Sequence, residues 1–332
     1  MRRIWFNHWF STAYYIIQLI RRENPDVWII GSNENPLSPI RNVCDEWYQE
    51  PVLKDREYVD FCLDFCRQHQ IDAFLPRREM VSVSRYKSRF TELGIRVMVD
   101  DYDCVSLLND KAETYQILLS KKLSTIPHHR IVTNASDFAE AYQALSSEYE
   151  KVCIKFVHDE GGKSYRLIDN DRTGYSALFK KLTTRMTYDA IFEALSEQPS
   201  FPRLMVMPYL PGEEISVDCL KTESGLIAIP RVKDYSRIER IEYEEDILDT
   251  CRQLMEVFPL ECPCNIQFKT LHGVRYLLEV NTRMSGGVHM TCEATGVNIP
   301  DLALNKLFGI PKNWVLEQKP CCVTHVEMPV VL

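Results

Sequence analysis

Glu279, Asn281 and Arg283 stand two apart in the run LLEVNTRMSGG, residues 277–287. Period-two alternation puts these three polar side chains on one face of a strand. A carboxylate and an amide oxygen on one face suit a hard cation such as Mg²⁺, which takes oxygen ligands. An arginine two residues further on suits phosphate, because its guanidinium forms paired, charge-assisted hydrogen bonds. Upstream, the apolar run CNIQF, residues 264–268, offers Gln267 on a neighbouring strand. These residue types are what the magnesium–ATP end of an active site needs.

Other stretches carry related chemistry. Lys111 follows Asn109 and Asp110 at the start of a helix-rich segment, where a capped helix start is the plainer reading. Lys155 lies in the apolar strand VCIKF, and a lysine there is costly to bury without a partner. Residues 159–164, DEGGKS, place Gly161, Gly162 and Lys163 in a loop whose backbone N–H groups can approach an anion. It is not a Walker A loop, which needs a different glycine spacing. Met207, Pro208, Tyr209 and Leu210 precede a Pro-Gly turn, and Glu214 and Asp218 follow it. Arg231 and Lys233 alternate in IPRVK on one strand face, where two cations could neutralise charge that develops in phosphoryl transfer. Asn7, His8 and Ser11 stand at the end of the first strand, where ligands gather in open α/β sheets, so they could touch a substrate, and a packing role for this aromatic loop is equally open. His289 lies just past the Gly-Gly turn.

The elements that must position these residues follow from periodicity and turn signals. Residues 3–6, 27–30, 71–76 and 95–99 read as strands, with helices at 11–22, N-capped by Ser11 or Thr12, and at 58–68. Residues 31–36 read as a loop. Strands alternating with helices imply a parallel α/β sheet. Next come helices over 104–124 and 136–146, a hairpin of strands 152–156 and 165–168, and a helix over 188–196. Strands at 203–208, 214–220, 225–229, 264–268 and 276–280, with a helix over 244–257, complete the pattern. Three lobes result: 1–105, 106–206 and 207–332, with the strand at 203–208 beginning the last.

With 332 residues the chain exceeds one ordinary core, and 45% hydrophobic and 26% charged residues mark an ordinary globular protein. A net charge of −8 argues against a broad nucleic-acid footprint. The 12 cysteines are scattered, several in apolar runs, and lack zinc-ribbon spacing, so reduced core thiols in a cytosolic protein are expected. The aromatic N-terminus is interrupted by Asn7, His8 and Gln18 and closed by Arg21 and Arg22, so a strand and an amphipathic helix are expected there rather than a signal peptide, and no run reaches the ~20 apolar residues of a membrane helix.

The order of these pieces resembles the ATP-grasp superfamily of carboxylate–amine ligases, biotin carboxylase and the carbamoyl-phosphate synthetase large subunit. The resemblance covers nearly the whole chain and is strong from about Asn109 to Gly309. It implies an α/β and α+β fold in a three-lobed ATP-grasp architecture with an N-terminal parallel α/β (pre-ATP-grasp) lobe. It implies that Lys111 reaches the nucleotide phosphates and that Lys155 bridges adenine and the α-phosphate. The loop holding Gly161, Gly162 and Lys163 would close over the phosphates. The backbone around Met207, Pro208, Tyr209 and Leu210 would read adenine, and Glu214 would anchor ribose. Gln267, Glu279 and Asn281 would hold Mg²⁺, with Mn²⁺ as a substitute, while Arg231, Lys233 and Arg283 face the transferred or acyl phosphate. Two departures stand out: the family often has glutamate where this chain has Met207, and Gln267 is neutral. The implied activity is an ADP-forming ligase that activates a carboxylate as an acyl phosphate and joins it to an amine. Carboxylation through carboxyphosphate, or nucleotide binding without turnover, are the alternatives. The expected partners are a small-molecule carboxylate and an amine, with no nucleic acid and no membrane. A cytoplasmic location is expected, and a homodimer stays open.

Overall fold

The computed structural model describes residues 1–8, 11–159, 162–171, 184–233 and 237–331. Its first sheet holds β1 (Arg3–Asn7), β2 (Trp28–Asn33), β3 (Glu46–Gln49), β4 (Ala73–Leu75) and β5 (Arg96–Val97), in the order β3-β2-β1-β4-β5. Every pairing is parallel, as the alternation of strands and helices predicts. Sequence order reverses between β1 and β4, the kind of switch point at which open α/β sheets bind ligands.

Two cores flank this sheet. α1 (Ala13–Glu23) buries Ile16, Ile17 and Ile20 on one side. α2 (Asp55–Gln68), α3 (Met80–Arg85) and α4 (Lys87–Glu92) cover the other, where Trp5 stacks between Phe65 and Phe74. Thr12 is the N-cap of α1 but makes no side-chain capping bond.

The loop expected at 31–36 begins later. Gly31, Ser32 and Asn33 continue β2 because each pairs with a residue of β3. A Cβ on Gly31 would sit 2.8 Å from the Trp47 ring, so only glycine fits there. Ser32 is polar yet fully buried, and it donates to Glu50 at 2.6 Å. That hydrogen bond makes a polar residue tolerable in a buried strand.

α5 (Tyr102–Asn109) and α6 (Lys111–Lys121) follow. The second sheet is β6 (Arg130–Val132), β7 (Val152–Phe156), β8 (Arg166–Ile168), β9 (Arg185–Met186) and β10 (Leu204–Pro208), in the order β6-β10-β7-β8-β9. α7 (Ala135–Glu148) and α8 (Tyr188–Ser196) pack on it around Phe138. The expected hairpin is β7 with β8. One expectation fails: β10 does not begin the last lobe. It lies between β6 and β7, antiparallel to both, because its buried residues belong to the core under α7.

The third sheet has β11 (Glu214–Thr222), β12 (Gly225–Lys233), β13 (Glu239–Ile241), β14 (Cys264–Leu271), β15 (Val274–Asn281) and β16 (Cys321–Val323), ordered β15-β14-β11-β12-β13-β16. α9 (Glu245–Val257), α10 (Val288–Thr295) and α11 (Ile299–Leu307) complete the chain's helices among the described residues. The three sheets fit the expected three-lobed architecture.

The chain forms two compact units. Unit 1 is 1–108, 213–267 and 279–332; unit 2 is 109–212 and 268–278. Within unit 1, α1, α10 and α11 share one hydrophobic core with β11–β13. Within unit 2, the 268–278 segment is tied down by Gly212 N to Thr270 O at 3.0 Å, Leu277 N to Thr125 O at 2.9 Å and Tyr115 OH to Leu278 O at 2.8 Å. Among the described residues no helix is long and apolar enough to cross a membrane.

Candidate active site

In unit 1, Glu279 and Asn281 end β15 on one face, both half-buried. Asn281 Nδ2 donates to Glu279 Oε1 at 3.0 Å. Gln267, half-buried on β14, donates through Nε2 to Asn265 Oδ1 at 3.1 Å. With its nitrogen so used, the amide oxygen is the atom Gln267 has for a cation. Asn265 in turn donates to Asp218 Oδ1 at 3.0 Å. The set supplies one carboxylate and two amide oxygens. That fits Mg²⁺, which commonly takes one or two protein carboxylates and completes its shell with water and substrate phosphate. Among the described residues no group of three His, Cys, Asp or Glu is arranged to hold a metal ion.

Arg231 is fully buried, an unusual place for a charge. Its Nε donates to Asp218 at 3.2 Å, Nη2 to Ser285 at 2.9 Å and Ser216 at 3.4 Å, and Nη1 pairs with Glu239. Burial pushes its pKa down, but Asp218 and Glu239 more than offset this and raise it. The alternation that puts Arg231 and Lys233 on one face is right, yet protein acceptors engage each of Arg231's nitrogens. Lys233 lies across from Glu214 on paired strands, and its Nζ is 3.0 Å from Glu214 Oε1. Thus the expected ribose anchor is already ion-paired. A Cβ on Gly287 would sit 2.5 Å from Arg231 Cζ, so the turn before α10 needs glycine. Arg283 Nη1 reaches the Met284 carbonyl at 3.4 Å.

His289, in the first turn of α10, is 8% exposed and stacks on Tyr15 with ring centres 4.5 Å apart. Among the described residues neither ring nitrogen has a side-chain or backbone partner within full hydrogen-bond geometry. Burial first, then the Arg231 charge, pushes its pKa down to about 4. The unfolded chain therefore binds the proton more tightly than the folded one between pH 6.5 and 4. Stability should be complete above pH 6.5 and fall as pH drops towards 4, by up to about 3 kcal/mol from this group. Urea titrations at several pH values should show a shallower acid limb in His289→Gln; an unchanged limb would refute the assignment.

In unit 2, Asp110 caps α6, accepting from Ala112 N at 3.1 Å and Glu113 N at 3.0 Å. It also pairs with Arg203 and lies 3.3 Å from His158 Nε2. This cap delivers Lys111, 8% exposed, whose Nζ donates to the Asp159 carbonyl at 3.0 Å. Lys155 is half-buried on β7, opposite Met205. Gly162 has φ +64°, which suits glycine, and Lys163 is exposed; Gly161 lies outside the described residues. Met207 is 3% exposed on β10. Pro208 has no N–H, and Tyr209 N donates to Lys151 O at 2.8 Å, which narrows the candidate adenine donors to Leu210.

Of the two readings open for Asn7, substrate contact and packing, its surroundings favour packing. It is fully buried, donating to Tyr58 OH at 2.7 Å and accepting from Arg77 N at 2.6 Å. His8 has φ 45° and donates its backbone N–H to Ser32 O at 2.7 Å. Sequence reasoning missed Ser216, Glu239, Asn265 and Thr291, which build the web around Arg231 and Asp218. The one available signal was Ser216 and Asp218 alternating within an otherwise apolar strand.

Known proteins bear on this arrangement. Residues 200–329 match a family model described as ATP-grasp in the biosynthetic pathway with Ter operon, and residues 11–98 match one described as PylC-like, N-terminal domain. The arginine-specific large chain of carbamoyl phosphate synthase from Halalkalibacterium halodurans is 21% identical over 308 residues, 87% of this chain and 27% of that protein. The chain thus spans about a quarter of the length of the curated relatives it matches. Among solved structures, the ADP complex of N5-carboxyaminoimidazole synthetase from Staphylococcus aureus superposes with a TM-score of 0.69 at 14% identity, covering 97% of this chain and 81% of that one. An L-amino acid ligase from Bacillus licheniformis gives 0.66 at 14% identity, covering 92% and 74%. The sheets, the metal-suited strand end and these matches agree: residues 200–329 match an ATP-grasp family, and the chain as a whole has the ATP-grasp fold.

Proposed function

We propose that the chain is an ATP-dependent carboxylate–amine ligase. A substrate carboxylate attacks the γ-phosphate of ATP, giving ADP and an acyl phosphate. An amine then displaces phosphate and forms an amide bond. The observation that carries this reading is the Glu279–Asn281 pair on one strand face, with Arg283 two residues on, inside an ATP-grasp fold. A solved L-amino acid ligase shares the fold, as do N5-carboxyaminoimidazole synthetases and biotin carboxylases, so substrate dependence decides between the amide product and carboxylation.

Gln267, Glu279 and Asn281 would hold Mg²⁺, which would neutralise phosphate charge when bound. Arg283 meets the γ-phosphate or the acyl phosphate. Lys111 and Lys155 bind the nucleotide's phosphates, Lys111 exchanging the Asp159 carbonyl for a phosphate oxygen. Leu210 reads adenine through its backbone. Glu214 and Lys233 act as a pair, Glu214 turning to the ribose. Arg231 works at one remove: it fixes Ser285 and the turn at Gly287, whose backbone receives the substrate carboxylate. Little covalent chemistry falls to the protein, which positions groups and neutralises charge.

The test is ADP release from Mg-ATP with pools of amino acids and other small carboxylates, with and without amine acceptors. Release that requires one acid and one amine is expected, with an amide-bonded product by mass spectrometry. Release that depends on bicarbonate alone would replace this reading with carboxylation.

A further inference from the structure

Unit 1 contains a cavity of about 500 Å³ along the outer edge of β5, the last strand of the first sheet. Its volume lies within the range of small-molecule sites. None of its lining residues belongs to the set assigned to ATP or the substrates above. The walls are aliphatic, from Ile95, Val97, Val99, Pro263, Ala303 and Leu307, with no aromatic ring.

One wall carries Asp100, 2% exposed. Its Oδ1 accepts from Glu261 N at 2.7 Å and Cys262 N at 3.0 Å, but among the described residues Oδ2 has no hydrogen-bond partner. Burial raises its pKa, opposed by those two N–H groups, by Lys87 and by the Cys262 thiol. A buried carboxylate oxygen without a donor is costly and calls for an explanation. Lys87 and Arg96 also line the cavity. Among the described residues Lys87 forms an ion pair with Asp101, at 3.1 Å, whose side chain is 84% exposed, a weak pairing that an incoming anion could replace. Arg96 is exposed, its guanidinium over the Phe308 ring. Lys306 is engaged by Glu261 and two backbone carbonyls and is not counted on.

The cavity therefore offers an acid with one oxygen left without a donor among the described residues, two basic groups and an aliphatic interior. We propose that it is a binding site for a zwitterionic amino acid with an aliphatic side chain. The ligand's ammonium meets Asp100, its carboxylate meets Lys87 and Arg96, and its side chain packs between β5 and α11. The site is distinct from the catalytic residues and would make amino-acid supply an effector of this chain.

The test uses the full chain and L-leucine as probe, by isothermal titration calorimetry, with ADP titrated in parallel. Saturable binding of L-leucine is expected. Isovaleric acid lacks the ammonium and isoamylamine lacks the carboxylate, so each should bind at least about tenfold more weakly. Asp100→Asn keeps an amide oxygen for the Glu261 and Cys262 N–H groups and loses the charge, so leucine affinity should fall by a similar factor. Should that variant not fold, Thr91→Trp at the exposed rim fills the mouth; it should abolish leucine binding with ADP affinity unchanged. The proposal is overturned if L-leucine does not bind or if the single-charge analogues bind as well. Leucine binding that survives both substitutions, as a ligase substrate held elsewhere would, also overturns it. Absence of ADP release in every substrate pool would undo the ligase reading and leave this site standing.

Discussion

Glu279→Ala should reduce ADP formation by at least about 10³-fold, the upper end of what removing a single oxyanion-hole donor costs. Glu279 is the one carboxylate among the three proposed cation ligands, and charge rather than shape is what its removal takes away. Glu279→Gln should therefore fail almost as badly, although it preserves a partner for Asn281. Both variants should keep the wild-type melting temperature within a few degrees, because Glu279 is half-buried at the end of β15 and supports no core. ADP production at the wild-type rate by either would sink the assignment of this strand end to the metal.

Arg231→Met should cost about 3–5 kcal/mol of stability, the usual penalty for breaking a buried ion pair from one side. The loss is not that of a single contact. Asp218, 1% exposed, keeps Asn265 and Thr291 as donors but loses its cation, and Glu239 loses its partner as well. Adding Asp218→Asn to Arg231→Met should recover part of the stability, since the stranded charge is removed. Urea unfolding of the two variants measures this. A cost below 1 kcal/mol for the single variant, or no recovery in the double, would show that the web does not act as a unit.

These two residues mark the limits of what the chain reveals as text. Glu279 and Asn281 were legible because alternation in a strand is a local property, and two residues on one face stay together in any fold. Arg231 was legible only in part. Its face could be read, but its partners come from β11, β13 and the turn before α10, and no local pattern shows that Asp218 and Glu239 will meet the same guanidinium. Most of the first sheet was readable through the apolar runs at 3–6, 27–30, 71–76 and 95–99, whereas β3, β6, β9, β13 and β16 lie in short stretches with no such run. β10 was recognised as a strand and placed in the wrong lobe, since periodicity says nothing about which neighbours a strand will pair with. Asn7 could be read only halfway for a related reason: a polar residue at a strand end suits substrate contact or packing alike until Tyr58 and Arg77 arrive from distant segments.

The scattering of unit 1 along the chain has a consequence for how the protein comes to be made. α1 leaves the ribosome long before the α10 and α11 surfaces that cover it. Its isoleucines must wait, exposed, through the synthesis of everything between. Unit 2 cannot close early either, because residues 268–278 arrive long after its other strands. Such long-range closure slows folding and leaves apolar surface open to association. Nascent chains halted before α11 should accordingly be bound by chaperones rather than fold as a working half.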